Sequence, residues 1–122
     1  MKLAILIIND PENLGLEYLR EVLNRKYNFN FQTQNSMVHQ SPKDEEEFLS
    51  FLGDGIENGY EEDELQYIHQ SFASPSFYYM EFYKFSFFKE VVAFLNKYFE
   101  IMVDDDKGNI YNISSFLQLE EW

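Results

Sequence analysis

The chain has 122 residues, 22 of them acidic and nine basic, for a formal charge of −13, and it contains no cysteine. That length suits one domain, residues 1–122, and 45 % apolar residues with thirteen Phe, nine Tyr and one Trp exclude a disordered chain, because so much aromatic surface offsets chain entropy when buried. The missing thiols exclude a disulfide framework and a cysteine nucleophile or zinc site, in keeping with a reducing cytosol, and the acid excess argues against direct grip on nucleic acid, whose phosphates need Lys and Arg.

Leu3–Ile8 is an unbroken apolar run, which predicts a strand buried on both faces. Asn9-Asp10-Pro11-Glu12 stops it after six residues and no small-residue cleavage site follows, so a secretory leader is not expected. No stretch reaches the roughly 20 apolar residues of a membrane span. Leu16, Leu19, Val22 and Leu23 recur at helical spacing within Leu14–Lys26 and leave Arg20 and Arg25 on the wet face. Asn28–Thr33 alternates polar and apolar residues, which predicts a strand burying Phe29 and Phe31. Residues 34–40 are polar and unpatterned, a loop.

Ser41-Pro42-Lys43-Asp44 offers a cap, a proline at the first helical position and an early acid. It predicts a helix with Phe48, Leu49, Leu52 and Ile56 on one side, weakened by Gly53 and Gly55 and ended by Asn58-Gly59. A second helix is predicted over Glu61–Phe72, burying Leu65, Ile68 and Phe72. Phe77–Phe85 is β-rich; Tyr79, Glu81 and Tyr83 share one side, and period two alone does not say which side is buried. Ser86 caps a predicted helix over Phe87–Tyr98 with Phe88, Val91, Val92, Leu95 and Tyr98 as its stripe. Phe99–Val103 and Asn109–Asn112 form a hairpin about the turn Asp104–Asn109, and Ile113–Leu119 ends as a short helix capped by Ser114. The expected fold is α+β: one mixed, mainly antiparallel sheet of four or five strands covered by helices.

The charge is uneven. Residues 40–64 hold ten acids and only Lys43, whereas residues 1–39 are balanced at four of each sign. Two runs dominate, Asp44-Glu45-Glu46-Glu47 and Glu61-Glu62-Asp63-Glu64. Acids in a first helical turn suit the helix dipole, so both runs read as solvated helix starts; clustered like charge also steers a basic partner, and one surface can do both.

Equipment for catalysis is missing from the pattern. His39 and His69 have no carboxylate at zinc-type helical spacing and read as surface or satisfied histidines. Asp104-Asp105-Asp106 reads as a hairpin turn, with metal binding and contact to a basic partner as rival readings. A calcium loop built on Gly108 would put Val103, Asp105 and Lys107 at its first three ligand positions, so that pattern fails. Gly53-Asp54-Gly55 is not a phosphate-binding loop, and no cofactor or metal is expected. An enzyme is not the preferred reading; a small hydrolase using carboxylates would need a deep pocket holding them at raised pKa.

Size, acidity, missing catalytic parts and the ending FEIMVDDDKGNIYNISSFL, Phe99–Leu117, resemble bacterial immunity proteins of polymorphic or contact-dependent toxin systems. That resemblance implies a cytoplasmic protein that binds a cognate toxin domain, often a basic nuclease, and occludes its active site. The expected contact face is Asp44, Glu45, Glu46, Glu47, Glu57, Tyr60, Glu61, Glu62, Asp63, Glu64 and Tyr67, acid mixed with the aromatic type common at hot spots. The alternative is a nucleic-acid mimic that inhibits a DNA- or RNA-binding protein.

Overall fold

A computed structural model describes residues 1–53 and 59–122. In chain order the elements are β1 Lys2–Asn9, α1 Gly15–Leu23, β2 Asn30–Thr33, β3 Ser36–Gln40, β4 Phe48–Gly53, α2 Glu62–Ser71, β5 Pro75–Phe82, α3 Phe85–Leu95, β6 Ile101–Asp104, β7 Ile110–Asn112 and α4 Ile113–Leu117. The strands make one seven-stranded sheet in the order β2-β3-β4-β5-β1-β6-β7. Every pairing in it is antiparallel. The architecture is α+β, as expected, but among the described residues the sheet has seven strands rather than four or five and no parallel pair.

The two extra strands come from segments with misleading local signals. Residues 34–40, expected as loop, supply β3, in which Met37 and His39 point inward and Gln40 outward. The helix expected after Ser41 is β4: Leu49 and Phe51 enter the core, while Leu52 is exposed. Pairing with β3 and β5 outweighs a helical spacing already weakened by Gly53, whose φ of 155° no side-chain-bearing residue adopts easily. Ile56, expected on the same helix face, lies outside the described residues.

β1 is central, as its unbroken apolar run predicts. Ala4, Leu6 and Ile8 point to one face, Ile5 and Ile7 to the other. The first face is the thicker core, formed with α1, α3 and α4. Its rings interlock: Phe82 stacks on Phe88 at 4.3 Å, Phe116 meets Phe88 edge-on, and Trp122 stacks on Phe85 at 5.5 Å. The second face is covered by α2, which lays Ile68 and Phe72 against Ile5, Ile7, Phe77 and Met102.

Local chemistry sets the helix starts. Asp10 is buried, and its two carboxylate oxygens accept the Leu14 and Gly15 N–H groups at 2.9 Å each, which satisfies orphan donors at the entry to α1. Asn112, not Ser114, caps α4 by accepting the Ser115 N–H at 2.8 Å. Lys84, not Ser86, is the N-cap position of α3, without a capping side-chain bond. That helix ends at Leu95, so Tyr98 leaves the expected stripe and lies exposed beneath Arg25. Phe31 is likewise exposed, under Arg20, whose Nε donates to the Phe29 carbonyl at 2.8 Å. None of the described helices is long and apolar enough to cross a membrane.

Candidate functional site

The first acidic run does not open a helix. Asp44–Glu47 forms the turn between β3 and β4, where Ser41 Oγ accepts the Lys43 N–H at 3.2 Å and Asp44 Oδ1 accepts the Glu46 N–H at 3.0 Å. The capping chemistry expected from the sequence is present, but it closes a turn. The Gln40 amide donates to the carbonyls of Ser41, Asp44 and Glu45 and braces the turn from below. Lys84 lies 3.6 Å from Asp44 and 3.9 Å from Glu46. Glu47 approaches His39 Nε2 at 3.6 Å. His39 is buried among Tyr27, Phe29 and Phe87, with Nδ1 at hydrogen-bond distance from the Asn28 backbone. Glu45 is exposed.

The second run starts α2 as expected. Glu61 is the N-cap, and the Glu64 carboxylate reaches back to accept the Glu61 N–H at 3.1 Å in a capping box. Glu62 and Asp63 follow in the first turn, exposed, and Tyr67 one turn later is 43 % exposed. Among the described residues no Lys or Arg pairs with any of these carboxylates.

Beside this helix start lies a cleft of about 420 Å³, lined by Ile5, Gly59, Tyr60, Glu64, Tyr79, Asp104, Asp106 and Gly108. The β6–β7 turn supplies its acidic wall. Asp105 is spent on the turn itself, accepting from Lys107, Asn109 and the Asn109 side chain. Asp106, at φ 61°, instead receives the Tyr79 hydroxyl at 2.6 Å. Asp104 is 5 % exposed; its Oδ1 accepts the Asp106 N–H at 2.8 Å. Burial raises the Asp104 pKa above the ordinary carboxylate value, and Asp105 and Asp106 push the same way against its hydrogen bonds. The Tyr60 phenol is raised by burial first and by Asp104, Glu64 and Asp106 after it. Its hydroxyl lies beside Asp104, yet it is inaccessible and no partner meets it in hydrogen-bond geometry. Tyr79 is raised chiefly by its bond to Asp106.

The two runs are therefore not one surface. Asp44 and Glu47 share a cleft with Lys84, Phe87 and Glu90 on the α3 side of the sheet, whereas Glu64 and Tyr60 belong to the α2 side. Register puts both hairpin turns at the same end of the sheet, since Leu49 aligns with Phe82 and Lys2, and Asp104 with Ile5. Three strand spacings, about 14 Å, separate β4 from β6. What the structure brings together is Tyr60, Glu61, Glu64 and the Asp104–Asp106 turn; Glu57 lies outside the described residues. Sequence reasoning weighed that turn but did not join it to α2, and it missed Tyr79 because period two left its face undecided. Among the described residues no group of three or more His, Asp or Glu is placed to hold a metal ion. Comparison with protein-family models, characterised proteins and solved structures finds no match.

Proposed function

We propose that the chain is a binding protein whose partner is a basic protein, docked on the surface that joins the start of α2 to the β6–β7 turn. One observation carries the reading: Glu61–Glu64 and Asp106 concentrate negative charge there with no Lys or Arg within ion-pair distance among the described residues. Like charge without ion-paired cations costs stability, so its presence here favours a partner that supplies the opposite sign. The immunity-protein resemblance gives this a concrete form, namely occlusion of a toxin nuclease domain whose site is basic because it holds phosphate. Electrostatic steering of such a pair supports association up to about 10⁸–10⁹ M⁻¹s⁻¹ at low salt.

The test is affinity capture on the full chain, then association kinetics of the recovered partner across ionic strength. Replacing Glu61, Glu62, Asp63 and Glu64 by Gln or Asn lowers the association rate at least tenfold at low salt and flattens its salt dependence. Unchanged salt dependence removes this surface from the reading. Recovery of a DNA-processing protein instead of a toxin domain favours nucleic-acid mimicry.

A further inference from the structure

The cleft beside α2 is more than a group of acids. Two rings, Tyr60 and Tyr79, and Ile5 give it apolar walls, while Asp104 and Asp106 lie on one strand end and its turn and Glu64 on the facing helix. Two polar groups inside it are left incomplete. Asp104 is a carboxylate 5 % exposed with no basic partner among the described residues. The Tyr60 hydroxyl, inaccessible to solvent, lies beside Asp104 without meeting it in full hydrogen-bond geometry. Buried charge and buried hydroxyl are both costly when unpaired, and a cation that donates hydrogen bonds relieves both at once.

We propose that this cleft receives one lysine or arginine side chain of the basic partner, its cationic head between Asp104, Asp106 and Glu64 and its alkyl stem against Tyr60 and Tyr79. This deepens the docking reading above and rests on it for the source of the side chain. A long basic side chain matches both halves of the lining: its stem buries against apolar surface while its head keeps polar company, and the ring faces add cation–π attraction. A bare metal ion matches less well, since the carboxylates do not converge as ligands and the rings would have no role.

The experiment needs no partner. The full chain is titrated with N-acetyl-lysine methylamide and N-acetyl-arginine methylamide, with the neutral N-acetyl-norleucine methylamide as control, while NMR follows the Tyr60 and Tyr79 rings and the Glu64 and Gly108 amides. The cationic probes shift these signals and saturate at about millimolar concentration, as befits so small a ligand. Asp104→Asn weakens binding at least tenfold. Tyr60→Phe, which keeps the ring, weakens it severalfold. The double variant Glu45→Gln/Glu46→Gln, on the distant turn, leaves it unchanged. Equal shifts with the norleucine probe, wild-type affinity in Asp104→Asn, or displacement of the probe by calcium at lower concentration overturns the proposal. Because only the free chain is used, failure here with a normal salt-dependent partner removes the cleft alone. Probe binding without any basic partner removes the docking reading and leaves the cleft.

Discussion

The two faces of the sheet carry similar acidic turns in different company. On the α3 side, Asp44 and Glu46 sit near Lys84, Glu47 near His39, and the turn is held by Gln40. On the α2 side, Glu61–Glu64 and Asp106 meet no Lys or Arg among the described residues, and a cleft opens between them. The packing differs in the same sense. The α3 side holds the interlocked rings of Phe82, Phe85, Phe88, Phe116 and Trp122; the α2 side rests on a smaller set around Ile68 and Phe72. The count of acids alone therefore does not locate a docking surface. What distinguishes one run from the other is whether the fold already supplies a counter-charge.

If the α3 side carries the fold, its truncation costs most. Phe88→Ala removes a fully buried ring stacked on Phe82 and touching Phe116 and Trp122, and it costs about 3–5 kcal/mol in urea denaturation. Ile68→Ala on the α2 side costs less, about 2–3 kcal/mol, from the lower part of the range for such truncations. An Ile68→Ala loss equal to or above that of Phe88→Ala breaks the division of labour between the faces.

Two buried aspartates sharpen it further. Asp10 has both oxygens occupied by backbone donors, so Asp10→Ala frees two N–H groups and costs about 0.5–2 kcal/mol. Asp104 has one backbone donor, the Tyr60 hydroxyl beside it and two acidic neighbours, and burial dominates, so its replacement acts with the opposite sign. Its folded pKa lies above the ordinary value of 3.8, so the native state binds more protons than the unfolded chain in the window between the two. Stability falls as pH rises through that window, and the cost stands in full above it. Asp104→Asn, which keeps an oxygen for the Asp106 N–H, is therefore more stable than the parent at neutral pH. The gap between their thermal midpoints closes as pH is brought below 3.8. A gap that widens on acidification reverses the assignment.

Much of this was readable in the residues. The unbroken run Leu3–Ile8 marked the central strand, the spacing of Leu65, Ile68 and Phe72 marked α2, and Asp104–Asn109 marked a hairpin turn. Where the reading failed, long-range pairing decided. Phe48, Leu49 and Leu52 fit a helix face as well as a strand, and only β3 and β5 on either side select the strand. β3 was hidden because its buried positions include His39, a polar residue whose Nδ1 meets the Asn28 backbone on the chain before β2. The candidate cleft was half visible: the acids of α2 and of the β6–β7 turn stood out separately, but their meeting depends on α2 packing against residues of β1, β5 and β6, which no local pattern encodes.

The smallest expected effect tests the other acidic turn. Lys84 is about half exposed, and it lies at 3.6 and 3.9 Å from two carboxylates that are also solvated. Such a pair gains little Coulomb energy in water and gives up side-chain freedom to form, so Lys84→Met costs about 0–1 kcal/mol, with the difference vanishing in high salt. Its consequence is electrostatic more than structural. With Lys84 gone, Asp44 and Glu46 lose their counter-charge and the β3–β4 turn comes to resemble the start of α2. If the fold's own neutralisation is what silences this turn, Lys84→Met raises the low-salt association rate of a basic partner by a small factor, by opening a second attractive patch. Association kinetics unaltered by Lys84→Met would mean that internal pairing is not what separates the two runs, and that their placement on opposite sides of the sheet is the whole of the difference.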